Sequence, residues 1–188
     1  GLTMELEMLE HLLQGVRCTF EGSREQQYRM AEVASGPMEA EKRLLRRIQA
    51  QDKVLDLGCA AGRILLPLAQ RGIGVLGMDI ALVLLREAAK LSQTYPISVP
   101  LVQGDPIHLP FKGKTFDKII FLKTYCYVPG RANRIRWLGE LQALLKAAGE
   151  VLFSQYVIDE ALGSYEPILA DTAQRFPALV DQLEEGDG

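Results

Sequence analysis

The sequence is poor in the residues that define several common classes of protein. Its three cysteines are widely spaced, and its two histidines, His11 and His108, lie far apart without any C-x-x-C pair. We therefore expect neither a disulfide framework nor a zinc or other metal site. No run approaches the ~20 apolar residues of a membrane span, and no basic stretch followed by an apolar run marks a secretory signal. These absences favour a reducing, cytoplasmic location without a membrane partner.

An excess of positive charge is also missing. The chain has 21 Lys and Arg against 24 Asp and Glu, a net charge of −3, and a pI of about 5.5. Proteins that bind mainly through phosphate groups are usually basic, so composition gives no support to a nucleic-acid partner. With 188 residues, 48% of them hydrophobic, the chain is long enough for one domain with a packed core.

Short apolar runs alternate with helical patterns from residue 53 onward. We predict strands at 54–57, 74–78, 97–102, 116–122 and 151–158, and helices at 61–71, 81–93 and 131–147. This alternation predicts an α/β fold with a doubly wound, mainly parallel sheet that helices cover on both faces. Pro67 lies inside the first of these helices and is expected to kink or shorten it.

Both ends of the chain differ from this pattern. Helical spacing over residues 2–14 predicts a helix that ends at Gly15, followed by a loop at 19–23, a polar helix at 23–34 and a third helix at 37–50. The last segment, 159–188, has helical patches and an acidic end but no convincing strand, so we expect a mostly helical or irregular tail of the same domain.

Asp56 is the first residue that points to chemistry. It lies near the carboxyl end of a strand that should be buried, where open α/β sheets bind ligands. An unpaired carboxylate there costs several kcal/mol, so a ligand with a positive charge or several donors would satisfy it. The alternative is that Asp56 accepts N–H groups of its own turn. Gly58 permits that tight turn, and Gly62 permits close approach of the backbone.

Two further acids follow the next predicted strands. Asp79 can accept both hydroxyls of a ribose, or it can simply cap the following helix. Asp105 can accept from an adenine amino group, or it can belong to an ordinary Asp-Pro turn. A dinucleotide fingerprint fails because Ala60 and Arg63 occupy its second and third glycine positions, and no P-loop follows. The pattern therefore favours an adenosine ligand that carries a cation rather than phosphates.

Residues 40–156 resemble the class I S-adenosylmethionine-dependent methyltransferases. The resemblance lies in an ordered set of motifs, which are Val54-Leu-Asp-Leu-Gly-Cys-Ala-Ala-Gly62, Gly77-Met-Asp79, Gln103-Gly-Asp105 with Leu109-Pro-Phe111, Phe116-Asp-Lys-Ile-Ile-Phe121 and Leu144-Leu-Lys-Ala-Ala-Gly-Glu-Val-Leu-Phe153. It implies a Rossmann-like fold with S-adenosylmethionine as cofactor and S-adenosylhomocysteine as product, held by residues 51–158. In such enzymes the positions of Asp56, Asp79 and Asp105 lie by the methionine, the ribose and the adenine.

The resemblance implies a full set of cofactor-binding residues. They are Asp56, Gly58, Cys59, Ala60, Gly62, Asp79, Ile80, Gly104, Asp105, Pro106 and Leu122. Two departures stand out. Ala60 replaces the usual middle glycine of the first motif, which is tolerable if its φ angle is negative. The strand hairpin that normally completes the family's sheet is not found after residue 158, so we expect this final hairpin to be absent.

The implied reaction is transfer of a methyl group to a small molecule. Residues 122–129 lack the Asn/Asp-Pro-Pro-aromatic sequence typical of enzymes that methylate exocyclic base amines. Residues 1–50 are expected to form a lid over the acceptor, with Tyr28 and Arg29 as candidates to face the cavity. No catalytic residue is assigned, because a structural role is expected for each candidate base. These candidates are His108, Tyr125, Cys126 and Tyr127.

Two other functions stay open. Basic clusters at 42–47 and 131–136 would suit an RNA-modifying methyltransferase, although such clusters are more typical of solvated helix faces. A methyltransferase-like domain that binds the cofactor or a partner without turnover is the second alternative, and Ala60 and the missing hairpin motivate it.

Overall fold

One parallel sheet organises the chain. The computed structural model describes residues 2–95 and 98–155, and its five strands lie in the order β3-β2-β1-β4-β5. The strands are β1 (Lys53–Leu57), β2 (Gly74–Asp79), β3 (Leu101–Gln103), β4 (Phe116–Leu122) and β5 (Leu145–Ser154). The helices are α1 (Leu2–Glu21), α2 (Ser23–Ser35), α3 (Glu39–Leu45), α4 (Leu65–Gln70), α5 (Leu82–Ser92) and α6 (Arg131–Leu144), with a short 3-10 turn at Tyr125–Tyr127. The predicted α/β fold is confirmed.

The central strands are buried on both faces, which explains their continuous apolar sequences. Val54 of β1 packs into a cluster on one face of the sheet, together with residues of α3, α4 and α5. Its neighbour Leu55 packs into the cluster on the other face, which contains Trp137 of α6. Strand order reverses between β2 and β4 on either side of β1. The carboxyl end of β1 therefore lies at the switch point where open α/β sheets bind their ligands.

Helix α1 extends further than its sequence predicted. It continues through Gly15 to Glu21, so the predicted stop at Gly15 and loop at 19–23 are wrong. The physical reason is that the apolar stripe continues, since buried Leu9 and Leu13 are followed at helical spacing by Val16 and Phe20. Packing of this stripe outweighs the cost of about 1 kcal/mol for one glycine inside a helix.

Helix α4 is short, as Pro67 predicted. The helix begins at Leu65 rather than at residue 61 and places Pro67 third. A proline in the first turn costs little, because the N–H that it lacks would have no partner inside the helix. Helix α3 is also shorter than predicted, ending at Leu45 instead of residue 50.

The strands at the edges of the sheet differ most from their predicted limits, since β5 was predicted at 151–158 and is found at Leu145–Ser154. Strand β5 starts directly after α6 at Leu145, and its pairing with β4 shifts between Phe116 opposite Leu145 and Lys118 opposite Glu150. It forms one edge of the sheet within the described residues.

The predicted tail at 159–188 and the expected absence of a final hairpin fall outside the described residues. No helix in the described ranges has both the length and the apolar character needed to cross a membrane.

Candidate cofactor site

Two adjoining chambers open at the carboxyl ends of β1, β2 and β4. They share five lining residues, which are Arg29, Gly58, Ala60, Leu122 and Lys123. Of the other predicted cofactor residues, the first chamber holds Asp79, Ile80, Gly104 and Pro106. The second chamber holds Asp56 and Cys59.

Asp56 is a buried carboxylate without a complete set of partners. The residue is 3% exposed, and its Oδ2 atom has no hydrogen-bond partner within the described residues. Burial and the charge of Asp79 raise the pKa of Asp56 to about 7, with Arg63 opposing the shift and Glu41 adding to it. The alternative in which turn N–H groups satisfy this carboxylate leaves Oδ2 unexplained. A buried carboxylate oxygen without a partner can accept a hydrogen bond from a donor-bearing ligand, and contact of Asp56 with the cofactor stays a prediction.

Asp79 already holds the turn together. Its Oδ2 accepts from the Ala60 N–H at 2.7 Å, and its Oδ1 accepts from the Ala81 N–H at 2.9 Å. Burial raises the pKa of Asp79, although the N–H groups of Ala81 and Ala60 partly offset the shift. The alternative role as a helix cap is not found, because the N-cap of α5 is Ala81 and no side chain caps this helix. Each carboxylate oxygen can accept a second bond, so contact with a ribose stays a prediction.

Gly58 occupies a position where a side chain does not fit. Its φ angle is +74°, and a Cβ atom there would lie 2.4 Å from Thr124 Oγ1. The N–H groups of Gly58 and Cys59 both donate to the Met78 carbonyl, at 2.8 and 3.1 Å. The turn after β1 is thus fastened to β2 on one side and packed against the residue after β4 on the other.

Two predicted residues lie outside both chamber linings in the described part of the chain. A Cβ on Gly62 would lie 2.7 Å from the Leu66 side chain, so this glycine permits close packing of α4. Asp105 accepts from the Ile107 N–H at 3.0 Å, and its carboxylate lies 3.6 Å from His108 Nδ1. The local turn considered for Asp105 is therefore present, and contact of either residue with the cofactor stays a prediction.

Ala60 has a left-handed backbone. Its φ angle is +47°, so the condition under which the Ala60 methyl group would be tolerable, a negative φ, is not met. Left-handed backbone costs a residue with a side chain about 1–2 kcal/mol. The hydrogen bond from its N–H to Asp79 holds Ala60 in this conformation.

Replacing Ala60 by glycine should therefore stabilise the protein. The variant A60G relieves the left-handed strain but loses some of that gain because glycine makes the unfolded chain more flexible. We expect a net gain of about 0.5–1 kcal/mol in the free energy of unfolding, measured by urea denaturation. A loss of stability would show that packing of the Ala60 methyl group outweighs its strain.

The N-terminal helices supply part of the first chamber's wall. Val16 and Phe20 come from α1, and Arg29 comes from α2. Arg29 pairs with Glu25 at 2.8 Å and with Glu32 at 2.9 Å, and its guanidinium lies 5.3 Å from the Phe20 ring centre. The expectation that Arg29 faces the cavity is met, whereas Tyr28 is 54% exposed.

The candidate bases lie in different parts of the structure. Tyr127 lines the first chamber and meets Phe20 edge-on, with ring centres 5.0 Å apart. Tyr125 stacks on Phe121, and His108 lines a different groove between α1 and α6. The side chain of Cys126 lies outside the described residues.

Sequence reasoning missed several lining residues. Lys123 and Thr124 follow β4 and line the first chamber, and Lys123 has a φ angle of +62°. No motif marks them, because their place depends on where β4 ends. Val16 and Phe20 were missed because the sequence predicted that α1 ends at Gly15.

The fold and this edge define a Rossmann-like domain with a cleft at its switch point. A family model described as a methyltransferase domain matches residues 54–149, just over half of the chain. The chain therefore belongs to the methyltransferase-domain family.

Curated relatives are longer than this chain. A putative methyltransferase of Encephalitozoon cuniculi is 33% identical over 100 residues, which are 53% of this chain and 42% of that protein. The sterol 24-C-methyltransferase of Saccharomyces cerevisiae is 25% identical over 144 residues, which are 75% of this chain and 35% of that protein. The chain thus spans about two fifths of the length of the curated relatives that it matches.

Solved structures share the fold. A protein of Methanosarcina mazei described as a SAM-dependent methyltransferase matches with a TM-score of 0.62 and 22% identity, over 72% of this chain and 66% of that chain. The phosphoethanolamine N-methyltransferase of Haemonchus contortus, solved with phosphoethanolamine and S-adenosylhomocysteine, matches with a TM-score of 0.57 and 19% identity. That match covers 62% of this chain and 25% of the other.

Proposed function

We propose that this chain binds S-adenosylmethionine in the two chambers and transfers its methyl group to a small-molecule acceptor. The single observation that carries the proposal is the buried Asp56 carboxylate at the tip of β1, with an unpartnered oxygen. Membership of the methyltransferase-domain family supports the identity of the ligand. S-adenosylhomocysteine in the Haemonchus contortus relative supports it further.

The proposed roles follow the positions of the side chains. Asp56 accepts from the ammonium group of the cofactor's methionine part, because that cation would satisfy the free carboxylate oxygen. Asp79 accepts from the ribose hydroxyls with its remaining lone pairs. Ile80, Gly104 and Pro106 lie beyond Asp79 in the first chamber and enclose the adenine. Gly58 and Ala60 form the shared wall over which the ligand passes between the chambers.

The cofactor supplies an already activated methyl group on a sulfonium. The protein's contribution is then to hold the acceptor atom about 3–3.5 Å from that methyl group and in line with the bond that breaks. Val16, Phe20 and Tyr127 form the apolar and aromatic wall that excludes water from the first chamber. They are the side chains that we assign to the acceptor side, where α1 covers the cleft.

Two observations favour a small molecule over RNA. The named relatives include enzymes for a sterol and for phosphoethanolamine. Within the basic cluster at 42–47, Lys42 pairs with Glu39 at 3.2 Å, and Arg47 pairs with Glu150 of β5. Mixed charge of this kind weakens the field that an RNA backbone would need.

The test is binding followed by turnover. Calorimetry with S-adenosylhomocysteine should show one site, and methyl-labelled S-adenosylmethionine should label a small-molecule fraction of a cell extract in the presence of the protein. Labelling that nuclease removes would instead support the RNA alternative. Absence of S-adenosylhomocysteine binding would overturn the cofactor assignment.

Binding of S-adenosylhomocysteine should strengthen as pH rises through about 7. The free protein holds a proton on Asp56 below this pH, because burial raises its pKa to about 7. Pairing with an ammonium group requires the ionised form, so each pH unit below 7 weakens binding up to about tenfold. We expect the dissociation constant at pH 6 to be about tenfold larger than at pH 8. A flat profile over this range would contradict the proposed role of Asp56.

A further inference from the structure

A buried ion pair adjoins the second chamber, and none of the proposed steps uses it. Glu41 of α3 is fully buried, with 0% of its side chain exposed. Both of its oxygens accept from the Arg63 guanidinium, at 2.5 and 2.8 Å. The Met38 N–H donates a further bond to Glu41 at 2.7 Å. Despite burial, the hydrogen bond from Arg63 and the other contacts hold the pKa of Glu41 below its usual value.

Arg63 is the cation that could have satisfied Asp56. Both residues line the second chamber, and the positive charge of Arg63 opposes the upward shift in the pKa of Asp56. The guanidinium nevertheless donates to Glu41 and to the Gly36 carbonyl at 3.1 Å. Asp56 therefore has an oxygen without a partner, although the same chamber contains Arg63, which is paired with Glu41.

The other charged residues near the chamber have their own partners or positions, and the pairing of Arg63 with Glu41 does not involve them. Arg29 and Glu32 pair with each other on α2 at 2.9 Å. Lys123 lies on the wall next to Leu122, where its charge helps to lower the pKa of Glu41. Asp79 lies on the side of β2 and raises the pKa of Asp56.

We propose that Glu41 is a positioning residue that keeps Arg63 away from Asp56, so that Asp56 stays open to the cationic amino group of the cofactor. The inference rests on the proposed cofactor role of this site. Without the charge of Glu41, Arg63 pairs with Asp56, a buried carboxylate of the same chamber, because an unpaired charge in the protein interior is costly. The Asp56–Arg63 pair then competes with the ligand's ammonium group, whereas the adenosine part of the ligand is unaffected.

The test compares two ligands that differ in the amino-acid part. S-adenosylhomocysteine carries it, and 5′-methylthioadenosine lacks it. The variant E41Q removes the charge but keeps a side-chain oxygen that can accept from the Met38 N–H. For E41Q we expect about tenfold or greater loss of affinity for S-adenosylhomocysteine. Affinity for 5′-methylthioadenosine should change less than about twofold, a split that a merely structural role would not produce.

The double variant E41Q/R63M supplies the decisive control. It removes the competing cation together with its partner, so affinity for S-adenosylhomocysteine should return to within about threefold of the wild type. Equal loss of both ligands in E41Q, no loss, or a double variant as weak as E41Q would overturn the inference. If E41Q is too unstable to purify, a loss of about tenfold or more in the double variant alone overturns it. Failure of the wild type to bind S-adenosylhomocysteine would instead overturn the proposed function.

Discussion

Replacing Asp56 by asparagine is expected to make the protein more stable and a poorer binder of S-adenosylhomocysteine. Ionising the buried carboxylate costs free energy, because its pKa rises from 3.8 to about 7 on folding. Between these values the folded protein holds a proton that the unfolded chain has lost, so wild-type stability falls as pH rises from about 4 to about 7. At about 1.4 kcal/mol per pH unit, the total cost is about 4 kcal/mol above pH 7.

The gain in D56N should therefore depend on pH. It is absent near pH 3, grows between about pH 4 and pH 7, and reaches about 4 kcal/mol at pH 8, measured as the difference in free energy of unfolding in urea. Affinity for S-adenosylhomocysteine at pH 8 should fall about 10- to 100-fold, since a charge-assisted hydrogen bond is lost. Its remaining affinity should no longer vary between about pH 6 and pH 8.

Asp117 provides a matched control for D56N. Hydrogen bonds from Lys146 and from the Lys53 N–H lower the pKa of this carboxyl, so its ionised form stabilises the fold. D117N should consequently show no gain in stability at pH 8 and unchanged ligand binding. A D56N variant that is less stable than the wild type at pH 8 would contradict the assignment of Asp56 as an unsatisfied buried charge.

Replacing Gly58 by alanine should unfold the turn on which the site is built. The added Cβ meets Thr124 Oγ1 at 2.4 Å, and that hydroxyl donates to the Leu57 carbonyl at 3.3 Å. The residue also has a φ angle of +74°. We expect a loss of about 3 kcal/mol in the free energy of unfolding, from left-handed strain plus overpacking, and no measurable binding of S-adenosylhomocysteine.

Gly72 provides a control that distinguishes the cost of left-handed backbone from the cost of steric clash in G58A. Its φ angle of +79° nearly equals that of Gly58, but a Cβ there meets nothing within 4 Å. G72A should therefore lose only about 1 kcal/mol, the cost of the left-handed backbone, and should bind S-adenosylhomocysteine like the wild type. Equal losses of stability in G58A and G72A would show that Thr124 moves aside without cost.

The central part of the fold could be predicted from sequence because its signals are local. Strands β1, β2 and β4 are apolar runs that a parallel sheet buries on both faces, and their predicted limits differ from the structure by one residue at most. Strand β5 could not be placed in the same way. Its pairing with β4 passes from Leu145 opposite Phe116 directly to Glu150 opposite Lys118, and such a shift in register leaves no periodic signal in a sequence.

The residues of the candidate site also differ in whether a local sequence signal could predict them. Asp56, Asp79 and the glycine of the first turn were predicted because each follows a strand whose end is visible in the sequence. Glu41 and Arg63 were not, because their pairing joins segments 22 residues apart and depends on how α3 packs beside the turn. The φ angle of Ala60 was also missed, since the Asp79 carboxylate that holds the N–H of Ala60 belongs to another strand.

Helices α1 and α2 line part of the cleft without belonging to the sheet. Val16, Phe20 and Arg29 complete its wall, so detaching these helices opens the chamber, and filling the chamber favours their attachment. The binding energy of any occupant is therefore shared with the docking of the helices that end at Ser35. We therefore expect a saturating ligand to raise the temperature at which α1 and α2 detach from the sheet.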